Sequence, residues 1–239
     1  MDTNKNTYTI IYSIVLVVIV AALLAFAAEA LKPKQQRNVE IETKQMILKS
    51  VRLVPDAENA PDKAKYIEDI YSKHIKDSTI KAEDSDYGIY ICTLDSGEKV
   101  YIVKVSGVGL WGPIWGYVAL KSDFNTIYGT TFDHKSETPG LGAEINTDWF
   151  SKQFDNKTIF DNGEFVSVKI VKGGADKSNP HEVDAISGGT ITSKALEATI
   201  QKSLTNYVEF FKIMSEKAKS IQPADSLTQP VDTLTQPVK

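Results

Sequence analysis

The sequence predicts an α+β domain behind a single membrane-spanning helix, with an antiparallel sheet closed by a long C-terminal helix. Three observations predict it. An uncharged apolar run, Ile10–Ala28, approaches the roughly 20 residues that a bilayer crossing requires. Segments rich in Val, Ile and Tyr, with partial alternation, follow between Tyr87 and Val171, as strands do. Beyond Ser187 the apolar positions Leu196, Ile200, Leu204, Tyr207, Val208 and Phe211 fall at helical spacing. Strands first and a long helix last are the order of a helix packed on an antiparallel sheet.

Taken in order, residues 1–9 are expected as a short cytoplasmic N-terminus and residues 10–31 as the transmembrane anchor. Nothing else in the chain is comparably apolar, so one span is the maximum. A cleaved signal peptide is the competing reading, because Ala25-Phe26-Ala27 resembles a small-residue cleavage site. Lys5 and the α-amino group make a thin basic flank, and the apolar run exceeds the usual signal core, which favours a retained anchor. Lys32, Lys34 and Arg37 follow the span while only Lys5 precedes it, so charge read literally would keep the following domain in the cytoplasm. That rule weakens ahead of a long domain.

Residues 32–85 read as a helical connector, with helices at Val39–Val51 and Asp62–His74. Residues 86–216 form the domain, with strands at Tyr87–Leu94, Val100–Ser106, Ile114–Leu120, Ile127–Phe132 and Phe165–Val171. A short helix opens at Thr147, which would cap Asp148-Trp149-Phe150. Residues 217–239 contain the tandem repeat Asp225–Val231 and Asp232–Val238, polar and Pro-containing, which buries no core and predicts a disordered tail.

A net charge of −4, with no basic stripe interleaved with aromatics, argues against nucleic acid as a partner. Cys92 is the only cysteine, which excludes an intrachain disulfide and a cysteine-ligated metal. It lies at a buried strand position by pattern. His74, His134 and His181 lack metal-ligand spacing, and His134 reads as a loop histidine near Glu137 rather than a proton site.

Three stretches carry chemistry. Asp184-Ala-Ile-Ser187-Gly188-Gly189-Thr190-Ile-Thr-Ser193 sets hydroxyls behind paired glycines at a helix start. Free N–H groups and the positive dipole end favour a phosphate there, Gly188 and Gly189 admit it closely, and Ser187 is an acceptable N-cap. Glu137-Thr138-Pro139-Gly140-Leu141-Gly142 holds Pro-Gly at the central positions of a type II turn, presenting Thr138, Leu141 and backbone groups toward something flat. Gly107–Leu120 concentrates Trp111, Trp115 and Tyr117 beside glycines. These aromatics are core, a partner-facing surface or a stacking wall, and the pattern leaves all three open.

Asp184-x-x-Ser187-Gly188-Gly189-Thr190 resembles the flavinylation motif of bacterial FMN-binding domains, with Gly189 where that motif usually has Ala. Glu-Thr-Pro-Gly-Leu-Gly at 137–142 matches a second hallmark of those families, and Gly107-x-Gly-Leu-Trp111 with Val171-Lys-Gly-Gly-Ala175 resembles the C subunit of Na⁺-translocating NADH:quinone reductases. The resemblance runs from about Tyr101 to Phe211. It implies FMN held by a phosphoester to Thr190 and installed by a dedicated FMN transferase. Asp184, Ser187, Gly188, Gly189, Glu137, Thr138, Gly140, Leu141 and Trp115 are the other cofactor-site positions. It also implies a single-pass subunit of the bacterial inner membrane with its domain on the periplasmic side. There it relays electrons between other subunits while NADH oxidation and Na⁺ passage occur elsewhere. An Rnf-type G subunit shares the two flavin motifs but not the Leu-Trp segment. A tethered flavin module acting as sensor or scaffold is the alternative from another class.

Overall fold

The computed structural model describes residues 6–54, 57–82 and 85–221. Its first element, α1 (Asn6–Ser50), runs unbroken through Pro33 and fuses the predicted anchor with the first connector helix. An 18-residue window within it has mean hydropathy 3.0, and no other described helix is long and apolar enough to cross a membrane. Residues 10–40 stand exposed, whereas Ile41, Met46, Ile47 and Leu48 are buried in the domain. One helix therefore serves two solvents. Next, α2 (Lys63–His74) opens on Asp62, whose carboxylate accepts the Lys65 N–H at 3.0 Å and satisfies a first-turn donor.

Five strands form an antiparallel meander in sequence order: β1 (Ile75–Ala82), β2 (Ser85–Thr93), β3 (Lys99–Val108), β4 (Pro113–Leu120) and β5 (Ile127–His134). Side-chain alternation divides them between two faces. Tyr90, Cys92, Val100, Ile102, Tyr117 and Ala119 meet α1 and α2. Ile89, Val103, Val105, Ile114, Val118 and Leu120 face the other way, toward a core shared with Phe132, Phe150 and Phe154, whose rings meet edge to face. The sheet is therefore packed on both faces. Cys92 lies in the first core, and its burial pushes the thiol up to about 11.

After β5 a loop leads through a 3₁₀ turn (Gly142–Asn146) into α3 (Asp148–Lys152). Thr147 caps α3 as predicted, its Oγ1 accepting the Phe150 N–H at 3.3 Å. Two short ladders follow: β6 (Phe160–Asp161) antiparallel to β7 (Glu164–Phe165), and β8 (Lys169–Val171) parallel to β9 (Glu182–Asp184). Two helices close the described chain, α4 (Thr190–Thr205) and α5 (Val208–Ile221).

Several boundaries differ from the sequence reading. The connector does not extend to residue 85, because β1 pairs along its whole length with β2 and belongs to the sheet. Polar Lys76, Asp77, Ser78 and Lys81 give little apolar pattern to an edge strand whose outer rim pairs with no strand among the described residues. The predicted strand Phe165–Val171 is interrupted at Ser167, a buried residue with φ 59°. The long C-terminal helix is two helices, broken at Asn206–Tyr207 so that Phe210 and Phe211 pack on Phe124. Helix α5 also continues past residue 216 to Ile221, and the tandem repeat lies outside the described residues.

Candidate functional site

The site grows from the first turn of α4. Gly189, not Ser187, is its N-cap, and no side chain caps the first turn, so its leading N–H groups have no side-chain partner. Gly188 has φ +74°, a left-handed conformation that lets the chain reverse into the helix. A Cβ there would stand 2.5 Å from Leu141 Cδ2, so glycine is also what lets Leu141 approach. Thr190 is the first helical residue and is partly exposed. The neighbouring hydroxyls are not open: Thr192 and Ser193 are buried, and Ser193 Oγ accepts the Ile186 N–H at 3.1 Å. Ser187 is exposed but lies outside the helix.

The turn at 138–141 is as the sequence predicts. Leu141 N–H donates to Thr138 O at 3.1 Å, and Gly140 has φ +74°. It leaves Leu141 42 % exposed beside Gly188. A second turn, Gly109–Gly112, is closed by Gly109 N–H donating to Gly112 O at 2.8 Å. It carries Leu110 and Trp111, the latter 66 % exposed. Ile191 is likewise exposed on α4.

Glu137 joins these segments. Its Oε1 accepts the Trp111 N–H at 2.8 Å and its Oε2 accepts the Thr192 hydroxyl at 2.6 Å. Behind it, Glu137 N–H donates to His134 Nδ1 at 3.2 Å, which gives that histidine a structural role. Burial alone would raise the carboxyl's affinity for protons. The Thr192 hydroxyl, the Trp111 N–H, His134 and the Leu110 N–H outweigh it and hold the group below the ordinary carboxylate range. The surrounding glycines are dictated by this carboxylate: a Cβ at Gly109 or at Gly142 would lie 2.6 Å from one of its oxygens.

Asp184 is placed differently. Its Oδ1 accepts the Ala175 N–H and its Oδ2 the Lys177 ammonium, both at 2.6 Å, which ties the 173–177 loop to β9. That backbone N–H and the ammonium hold its carboxyl low. Trp115 does not join the site. On β4 it has the opposite parity to Ile114 and packs, partly buried, on the α1–α2 face. Position 111 is the exposed tryptophan of the pair. Thr192 is the second acceptor candidate by sequence and Gly109 belongs to the Gly-x-Gly-Leu-Trp segment, but their link to Glu137, 55 and 28 positions away, is not legible in the chain.

The donor set suits an FMN phosphate and ring. An uncapped helix start favours the phosphate, and exposed Leu110, Trp111, Leu141 and Ile191 offer apolar walls around it. Comparisons with known proteins agree. A family model described as FMN-binding domain matches residues 109–205. The crystal structure of the Na⁺-translocating NADH-quinone reductase C subunit from Parabacteroides distasonis is 37 % identical, with TM-score 0.66 over 76 % of this chain and 96 % of that one. The chain belongs to the C-subunit family of these reductases. The corresponding protein of Vibrio anguillarum is 29 % identical over 231 residues, 83 % of this chain and 89 % of that protein. The Shewanella oneidensis protein shares the fold at 24 % identity and TM-score 0.60. The FMN-binding match begins at the Gly109 turn and ends with α4, so it contains every segment that meets at Glu137.

Proposed function

We propose that this chain is the membrane-anchored flavin subunit of a Na⁺-translocating NADH:quinone reductase, with FMN esterified to Thr190. The observation that carries the attachment point is the contrast between neighbouring hydroxyls. Thr190 alone combines partial exposure with a place in the uncapped first turn, while Thr192 and Ser193 are buried and hydrogen-bonded. A threonyl phosphodiester keeps one negative charge, which the positive end of α4 stabilises. Leu141 and Trp111 flank the ring, and exposed Ser187 and Gly188 give an FMN transferase access to the acceptor.

Bound FMN supplies one- and two-electron redox chemistry; the protein supplies position and environment. A covalent tether makes the group a fixed relay rather than an exchanging cofactor. The described chain offers no further redox ligands: its one cysteine is a high-pKa core residue, and no cluster of His, Cys, Asp or Glu among the described residues could hold a metal. In this reading NADH is oxidised in another subunit. Helix α1, with no charge between residues 10 and 28, anchors the domain in the bacterial inner membrane on the periplasmic side and forms no ion path by itself.

The test is direct. Protein flavinylated with the transferase and denatured in SDS should keep a fluorescent band, Thr190→Ala should lose it, and Ser187→Ala should keep it. A fluorescent Thr190→Ala band would overturn the assignment and move attention to Ser187, the other exposed hydroxyl of the motif.

A further inference from the structure

Glu137 is the only Asp, Glu, Lys or Arg among the described residues that is buried, at 4 % exposure. A buried charge is tolerated only when its hydrogen-bonding capacity is met. No cation meets it here. Its partners are donors from two separate segments: the Trp111 N–H of the 109–112 turn and the Thr192 hydroxyl of α4. Ser136 Oγ also holds that turn by donating to Trp111 O at 2.9 Å, but Ser136 belongs to the same loop as Glu137 and does not reach α4. The bond that crosses from the turn to α4 therefore runs through one carboxylate.

We propose that Glu137 is a positioning residue that locks the Leu110–Trp111 turn to the first turn of α4. The exposed apolar wall and the point of cofactor attachment then move as one unit. This rests on the reading that Thr190 carries FMN. The geometry explains why a carboxylate suits this place: the Trp111 N–H and the Thr192 hydroxyl both present hydrogens to it, and it accepts from each side in either orientation. It also explains why positions 109 and 142 are glycine, since a methyl at either would strike a carboxylate oxygen. Glutamine keeps the length and one acceptor, and its NH₂ group can be met by a reversed Thr192 hydroxyl. It should therefore preserve most of the lock without the charge.

The experiment compares full-length wild type, Glu137→Ala, Glu137→Gln, Thr192→Val and the Glu137→Ala/Thr192→Val pair. Two readouts are taken: hydrogen exchange of the 109–113 segment in a flavin-free Thr190→Ala background, and fluorescence anisotropy of FMN in the flavinylated chain. Glu137→Ala should speed exchange of that segment about tenfold and lower the anisotropy, while Glu137→Gln restores most of both. Thr192→Val should produce part of the effect, and the double variant should match Glu137→Ala alone, because both substitutions break one connection. Wild-type exchange and anisotropy in Glu137→Ala would overturn the lock. So would an equal effect from Glu137→Gln, or simple addition in the double variant. If Glu137→Ala unfolds, Glu137→Gln and Thr192→Val decide, and wild-type behaviour in Thr192→Val rejects the proposal. If FMN proves to sit elsewhere, the exchange measurement still judges the lock without it.

Discussion

The two faces of the sheet are made from the same strands and differ in what they ask of their residues. The α1–α2 face is apolar at its centre, with Val100, Ile102 and Ala119 fully buried. The α4 face has an equally apolar centre, but its rim holds a buried carboxylate, an uncapped helix start and exposed Leu110, Trp111 and Leu141. A one-residue step along β4 exchanges one environment for the other. Both faces supply apolar core, but the buried carboxylate and the uncapped helix start lie only at the margin of the second.

The strongest test of this division is truncation. A chain beginning at Arg37 keeps Ile41, Met46, Ile47, Leu48 and Val51 in the α1–α2 core, along with the 2.8 Å Arg37–Glu68 ion pair. It should fold, remain soluble and accept FMN. A chain beginning at Arg52 loses those five buried side chains. At about 1.5–3 kcal/mol each, they represent on the order of 10 kcal/mol, comparable with the whole net stability of a domain. That chain should show no cooperative thermal transition by circular dichroism. A cooperative transition within a few degrees of the longer chain's would show that α1 contributes reach and not core.

How much of this is legible in sequence depends on the range of the interaction. Strands β2 to β5 are visible because they are rich in Val, Ile and Tyr, and α2 is placed to its cap because Asp62 is a local signal. The Pro139-Gly140 turn is local too. Strand β1 is not visible, since Lys76, Asp77 and Lys81 give an edge strand little apolar pattern. The face that Trp115 takes is hidden for a different reason. β4 is buried on both faces, so its run of apolar residues carries no alternation to tell one face from the other. Glu137 can be picked out by its motif, but its role depends on partners 26 and 55 positions away. Only the fold brings those together.

The two tryptophans sharpen the comparison at smaller magnitude. Trp115→Ala removes a partly buried indole from the α1–α2 face and should lower stability by about 1–3 kcal/mol, while the flavin emission of the folded protein stays unchanged. Trp111→Ala removes an indole that is 66 % exposed and should change stability by no more than about 0.5 kcal/mol. Its flavin emission should rise, because a nearby indole quenches flavin fluorescence. Denaturant melts and emission spectra of both variants separate the two effects. Reversal of the pattern would move the cofactor to the α1–α2 face.

The smallest effect expected is a pH dependence carried by Glu137. Its folded-state pKa lies below the ordinary value of 4.5, held there against burial by the Thr192 hydroxyl, the Trp111 N–H and the neighbouring His134. A depressed carboxyl pKa means that the unfolded chain binds the proton more tightly than the folded one. The resulting stabilisation is fully present above the unfolded value and is lost as pH falls from there through the folded value. Glu58, Asp95, Asp176 and Asp184 are also lowered by their partners, so the whole protein loses stability on acidification for several reasons. The contribution of Glu137 is isolated by difference. Stability of wild type and Glu137→Gln, measured by denaturant titration from pH 7 to pH 3 in the Thr190→Ala background, should differ by a constant amount at the neutral end. The two curves should begin to converge as pH falls below about 4.5 and should meet once it has passed below the folded-state value, where protonation leaves the wild-type group as neutral as the amide. Curves that stay parallel throughout would mean that Glu137 has the same proton affinity folded and unfolded. Its burial between Trp111 and Thr192 would then not favour the charged form. On the opposite face, substituting buried Ile102 by valine should move the curve uniformly at every pH, because that core holds no carboxylate whose charge the fold must keep.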